Sequence, residues 1–86
     1  MERDIKDVVG SLMRVAGGGE MSQDEVLDLE FEADGELLDE VNSAYIKLLE
    51  FAYDRELRLR DPAYDFEMRQ ELQQCLDKIT SLCAER

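Results

Sequence analysis

The stretch ELLDEVNSAYIKLLEFAYDRELRL, residues 36–59, followed at once by Arg60, Asp61 and Pro62, decides the fold. At 100° per residue its apolar side chains fall on two stripes. One holds Leu37, Val41, Ala44, Tyr45, Leu48 and Ala52, with Leu59 at its far end. The other, displaced around the helix, holds Leu38, Ile46, Leu49, Tyr53 and Leu57. Together they span roughly 240°, whereas a surface helix is served by an apolar arc of about 100–140°. Asp34 or Gly35 is placed to cap the start, and Glu36, Asp39 and Glu40 suit the positive end of the helix dipole.

Working downstream, Asp61 before Pro62 is a strong helix start, an N-cap followed by a proline at the first helical position. Tyr64, Met68, Leu72, Cys75, Leu76, Ile79, Leu82 and Cys83 then form one stripe with heptad-like spacing. Two helices, about 36–59 and about 62–85, are joined by Arg60 and Asp61 alone. A link that short forces antiparallel neighbours, so the sequence predicts an all-α fold, a helical bundle built on a long αα-hairpin.

Working upstream, Ile5, Val8, Val9, Leu12, Met13 and Ala16 follow the helical rule and predict an N-terminal helix over about 2–16, ended by Gly17, Gly18 and Gly19. Residues 17–35 form an acidic connecting arm. Ser22 and Glu25 have the spacing of a capping box. From Leu27 to Asp34 apolar and acidic residues alternate, the pattern of a half-buried strand. With no second strand in the chain, such a strand is expected to need an edge from elsewhere, and the arm reads as flexible, extended or partly helical. With 86 residues the whole is one small domain.

The last helix can cover only one stripe of the long helix. Ile46, Leu49, Tyr53 and Leu57, with Phe51 on the opposite flank, are left over. Leaving them wet forgoes about 1.5–3 kcal/mol each. Either the N-terminal helix or a second copy must cover them, and the expectation is a homodimer. The four stripe residues are the first candidate partner-binding set.

Chemistry is harder to find. The chain has 22 acids, 10 bases and no histidine, a net charge of −12. Imidazole-based catalysis and imidazole metal ligands are excluded. The charge argues against direct binding of nucleic acid or of an anionic membrane. Cys75 and Cys83 lie eight residues apart on one helix, about 12 Å, too far for a mutual disulfide. They read as reduced, core-packing thiols, with a disulfide to another copy as the alternative. Ser11, Ser22, Ser43 and Ser81 have no base to activate them, no calcium loop occurs, and Glu20 beside the glycines would repel a phosphate. The expectation is a non-enzymatic protein without cofactor or metal. The N-terminus lacks an apolar signal region and no apolar run approaches the ~20 residues of a membrane span, so the chain reads as soluble and cytoplasmic. Arg55, Arg58 and Arg60, with Arg69 expected near them, read first as a complement to the helix dipole and to Asp54, Glu56 and Asp61, with a docking patch as the sharper alternative.

The charge is uneven. Residues 1–35 carry three bases against ten acids, −7, and the remainder seven against twelve, −5. Neither Lys nor Arg occurs between Val15 and Ile46. Asp28, Glu30, Phe31 and Glu32 are therefore the second candidate set, an acidic-hydrophobic segment for a partner protein with a basic surface. Two functions follow as expectations: a protein–protein interaction module (a small adaptor, chaperone-like or regulatory protein), or a small acidic inhibitor, such as an immunity protein, antitoxin or nucleic-acid mimic, that blocks a basic site.

Overall fold

A computed structural model describes residues 4–84. Five helices and no extended strand occur among them: α1 (Lys6–Ala16), α2 (Gln23–Leu27), α3 (Gly35–Tyr53), α4 (Arg55–Arg60) and α5 (Pro62–Ala84). The hairpin is present, with α3 and α4 as one arm and α5 as the other. Lys47 pairs with Glu71 at 3.3 Å and Glu40 with Lys78 at 3.0 Å. Seven residues back along α3 correspond to seven forward along α5, which is the antiparallel register. These exposed pairs mark the register and add little stability.

α1 completes a three-helix bundle by packing against α5 and, less extensively, α3. Val8, Leu12 and Val15 of α1 meet Leu37, Val41, Ala44 and Leu48 of α3 and Met68, Leu72, Cys75 and Ile79 of α5 in one buried cluster. The sequence places the start of the first helix at Glu2, but residues 1–3 lie outside those described, as does Glu85 at the other end. The described helix begins only at Lys6, because Asp4 is held in extended form by two backbone bonds to Glu32, at 2.9 and 2.8 Å.

That pairing corrects the expectation for the arm. The alternating segment finds its edge inside the chain, in the residues just before α1. α2 starts at Ser22, whose hydroxyl accepts from the Glu25 amide at 3.1 Å while the Glu25 carboxylate accepts from the Ser22 amide at 3.0 Å. Met21 and Val26 are buried in the common core, and Leu29, Phe31 and Ala33 pack against it. Phe31 lies 5.6 Å from Tyr45, ring centre to ring centre. The arm therefore runs along one edge of α3, apolar side inward.

The long helix is also corrected. It does not continue from residue 36 to 59: it ends at Tyr53, Asp54 departs from helical geometry at φ −91° and ψ 20°, and α4 follows. The Phe51 carbonyl, in the last turn of α3, accepts a hydrogen bond from Arg58 Nε at 3.0 Å. A side chain entering the carbonyl ladder in this way is a physical cause of a kink. Leu59, assigned by period to the buried stripe, is consequently 69% exposed, and Phe51, assigned to an uncovered flank, is fully buried. At the hairpin, Asp61 Oδ1 accepts from the Tyr64 amide, so the Asp-Pro start holds.

No helix among the described residues is long and apolar enough to cross a membrane. The capping box is a local device that holds the start of α2. Replacing Ser22 with Ala is expected to lower stability by about 1 kcal/mol, read by urea denaturation, with amide exchange at Val26 accelerating ahead of the α5 core.

Candidate interaction surface

One constellation sets the shape of this end of the bundle. Arg58 projects from α4 beneath the surface and is only 3% exposed. Its guanidinium lies 3.4 Å above the centre of the buried Phe51 ring, and that of Arg69 lies 4.9 Å from the same ring. Glu20 and Asp65 each bridge the two arginines. Arg58 reaches Glu20 at 2.9 Å and Asp65 at 2.8 Å; Arg69 reaches Glu20 at 2.6 Å and Asp65 at 2.9 Å. The result is an electrically neutral ring of two cations and two anions over one aromatic face.

Arg69 also donates to the carbonyls of Val15 and Gly19, both at 2.7 Å. It thereby ties α5 to the turn that ends α1, where the Val15 carbonyl also accepts from the Gly18 amide at 3.1 Å. Gly18 adopts φ +108° in that turn, a value side chains resist, and a Cβ on Gly19 would stand 2.8 Å from the Arg14 carbonyl oxygen. The triple glycine is thus a shaped turn, wrapped to bring Glu20 to the arginines.

The sequence reading paired Arg58 with its neighbours Asp54, Glu56 and Asp61, with a docking patch as the alternative. The structure pairs it with Glu20 and Asp65 and removes it from solvent. Bonds from Arg58 hold the Glu20 carboxyl below its usual 4.5, with Arg69 adding to them against a smaller effect of burial. Burial pulls the Asp65 carboxyl upward, but bonds from Arg69 and Arg58 outweigh it and hold it below its usual 3.8.

The apolar candidates divide. Ile46, Leu49 and Tyr53, at spacings of three and four, line a shallow groove of about 380 Å³ together with Glu50 and Asp54. Ile46 is 56% and Tyr53 71% exposed, while Leu49 is half-buried at the groove floor. Leu57 lies beyond the kink, also exposed, and does not line the groove. Asp54 anchors the groove's end by accepting the Tyr64 hydroxyl at 2.7 Å.

The arm candidates are not brought to one patch. Asp28 lines a depression between α1 and α2 with Lys6 and Arg14. Phe31 turns inward to Tyr45. Glu30 and Glu32 face solvent, the backbone of Glu32 being held by Asp4. Two further acids of the arm have internal partners, Glu20 in the ring and Glu25 with Arg14 at 2.9 Å. Cys75 and Cys83 are free thiols, and burial pushes the Cys75 thiol above its usual 9.0, away from nucleophilic use. Among the described residues no three acidic or thiol side chains converge as a metal would require. Comparison with known protein families, with curated proteins and with solved structures finds no match to this chain.

The ring predicts two measurements. Arg58→Ala strips the cover from Phe51 and leaves two carboxylates with one arginine; it is expected to cost about 3 kcal/mol, and Arg58→Met, which keeps the apolar stem, less. Because Glu20 and Asp65 titrate lower in the folded chain than unfolded, the stability they contribute is full above the ordinary carboxylate range. It is lost as pH falls through their lowered values. Urea midpoints measured from roughly pH 6 down to about pH 2.5 are expected to fall less steeply in Glu20→Gln than in the parent chain.

Proposed function

We propose that this chain is a non-enzymatic protein–protein interaction module that receives its partner in the α3 groove formed by Ile46, Leu49 and Tyr53. One observation carries the reading. The core is closed within a single chain by α1, α3 and α5, yet Ile46 and Tyr53, two turns apart on one face of α3 with the half-buried Leu49 between them, stay mostly wet. Isolated exposed apolar residues need no explanation, but a contiguous strip lining a groove marks an interaction surface. The spacing of the three residues matches that with which helical surfaces are read.

The chemistry of the remainder supports a binding role. There is no histidine, the Cys75 thiol is pushed toward inertness, and Arg58 and Arg69 are taken up in structural pairs. Two free thiols suit a reducing setting such as the cytoplasm. The homodimer expected from the sequence rested on covering five apolar side chains. Phe51 no longer needs cover, which lowers the demand for a second copy.

The test compares capture from the native host by the parent chain, by Ile46→Asp and Tyr53→Asp, and by a charge reversal at Asp28, Glu30 and Glu32. The groove variants alter exposed positions and are expected to stay within about 0.5 kcal/mol of parent stability, while losing proteins that the parent and the arm variant both retain. A captured set unchanged by the groove variants defeats the proposal. Loss in the arm variant alone would favour the acidic-inhibitor reading instead.

A further inference from the structure

The groove has a charge pattern that selects among occupants. Around α3, the strip of Leu49, Tyr53 and Ile46 lies between two edges. On one edge are Glu50 and Asp54, which line the groove itself. On the other is Tyr45, flanked by the acidic arm through its contact with Phe31. Cations are absent from the lining. Lys47 faces Glu71 on α5, Arg58 is buried, and Arg55 lines a separate depression with Arg14, Glu20 and Glu25.

A second copy fits this pattern poorly. A two-fold interface sets a patch against itself, so Glu50 and Asp54 would meet the same two carboxylates from another chain of charge −12. Like charges brought together at a desolvating interface are disfavoured. A cationic occupant meets the opposite condition: apolar side chains enter the strip while its flanking charges meet the rim. Ile46 to Tyr53 spans seven residues, about 10 Å along the helix, the length of two turns of an incoming helix.

We infer that the α3 groove binds an amphipathic basic helix, a two-turn apolar strip flanked by Lys or Arg, on a partner protein. The inference rests on the groove's being an interaction site, as proposed above, and adds the chemistry of what enters it.

The probe is a fluorescein-labelled peptide of roughly 18 residues with leucines on one helical stripe and lysines on both flanks. Its counterpart keeps the leucines and carries glutamates. Anisotropy with the full chain is expected to show the lysine peptide binding at least about tenfold tighter, and weakening several-fold between about 0.05 and 0.5 M salt. Glu50→Lys is expected to weaken it about fivefold or more, and Ile46→Asp to abolish saturable binding; both positions are exposed, and circular dichroism verifies that each variant is folded. Equal binding of the two peptides, or binding indifferent to Ile46→Asp, overturns the inference. So does a dimer in sedimentation at tens of micromolar that Ile46→Asp splits, which would make a second copy the occupant. If host capture still depends on Ile46 while the peptides show no preference, the interaction site stands and the basic helix falls.

Discussion

The fold depends on how one buried aromatic is covered. Phe51 sits at the end of α3 with no apolar helix above it; two guanidinium groups close it off instead. A guanidinium suits the position because it is flat, weakly hydrated and able to stack while donating in its own plane. Burying Arg58 alone would be costly. Here the cost is offset by Glu20 and Asp65, each shared with Arg69, so every charge in the ring has two opposite neighbours. The ring also ties the connecting arm, α4 and α5 to the end of α3, and through Arg69 it reaches the last turn of α1.

The groove is a by-product of that arrangement. The bond from Arg58 to the Phe51 carbonyl accompanies the departure from helical geometry at Asp54. Were α3 to run straight to residue 59, Leu57 would extend the strip of Ile46, Leu49 and Tyr53 by another turn. The kink instead separates Leu57 from it and leaves a groove two turns long, stopped by Asp54 and its bond to Tyr64. The feature that stabilises the interior thus also sets the length of the open surface.

What the sequence discloses is what is local. The Asp61–Pro62 start, the Ser22–Glu25 box and the stripe on α5 depend on residues within a few positions of one another, and each is found in place. The hairpin follows from a two-residue link by geometry alone. The ring was hidden because Glu20 and Arg69 are 49 positions apart and Arg58 and Glu20 are 38. Helical period also misled: it counts an arginine as surface, so Phe51 was assigned to a flank. A trace did exist, since Phe51, Arg58 and Asp65 recur at intervals of seven across the hairpin turn. The pairing of the arm was missed for a related reason: Asp4 read as the first turn of a helix, where an acid is favoured, rather than as a strand partner. Of the candidate site, Ile46, Leu49 and Tyr53 were legible as surplus apolar surface, whereas the separation of Asp28 from Glu30 and Glu32 depends on how the arm packs.

The large negative charge takes on a different meaning once the ring is known. Two of the ten bases are taken up in a neutral, partly buried cluster, so the excess of acid is borne wholly by the rest of the chain. A protein with an open apolar groove risks associating with itself. A surface of net negative charge opposes that at long range, and rim carboxylates oppose it at contact. The same distribution offers no penalty to a cation. Acidity and exposed apolar surface, which separately suggest solubility and stickiness, together suit the proposed role: a surface that discriminates by charge between copies of itself and a partner of opposite sign.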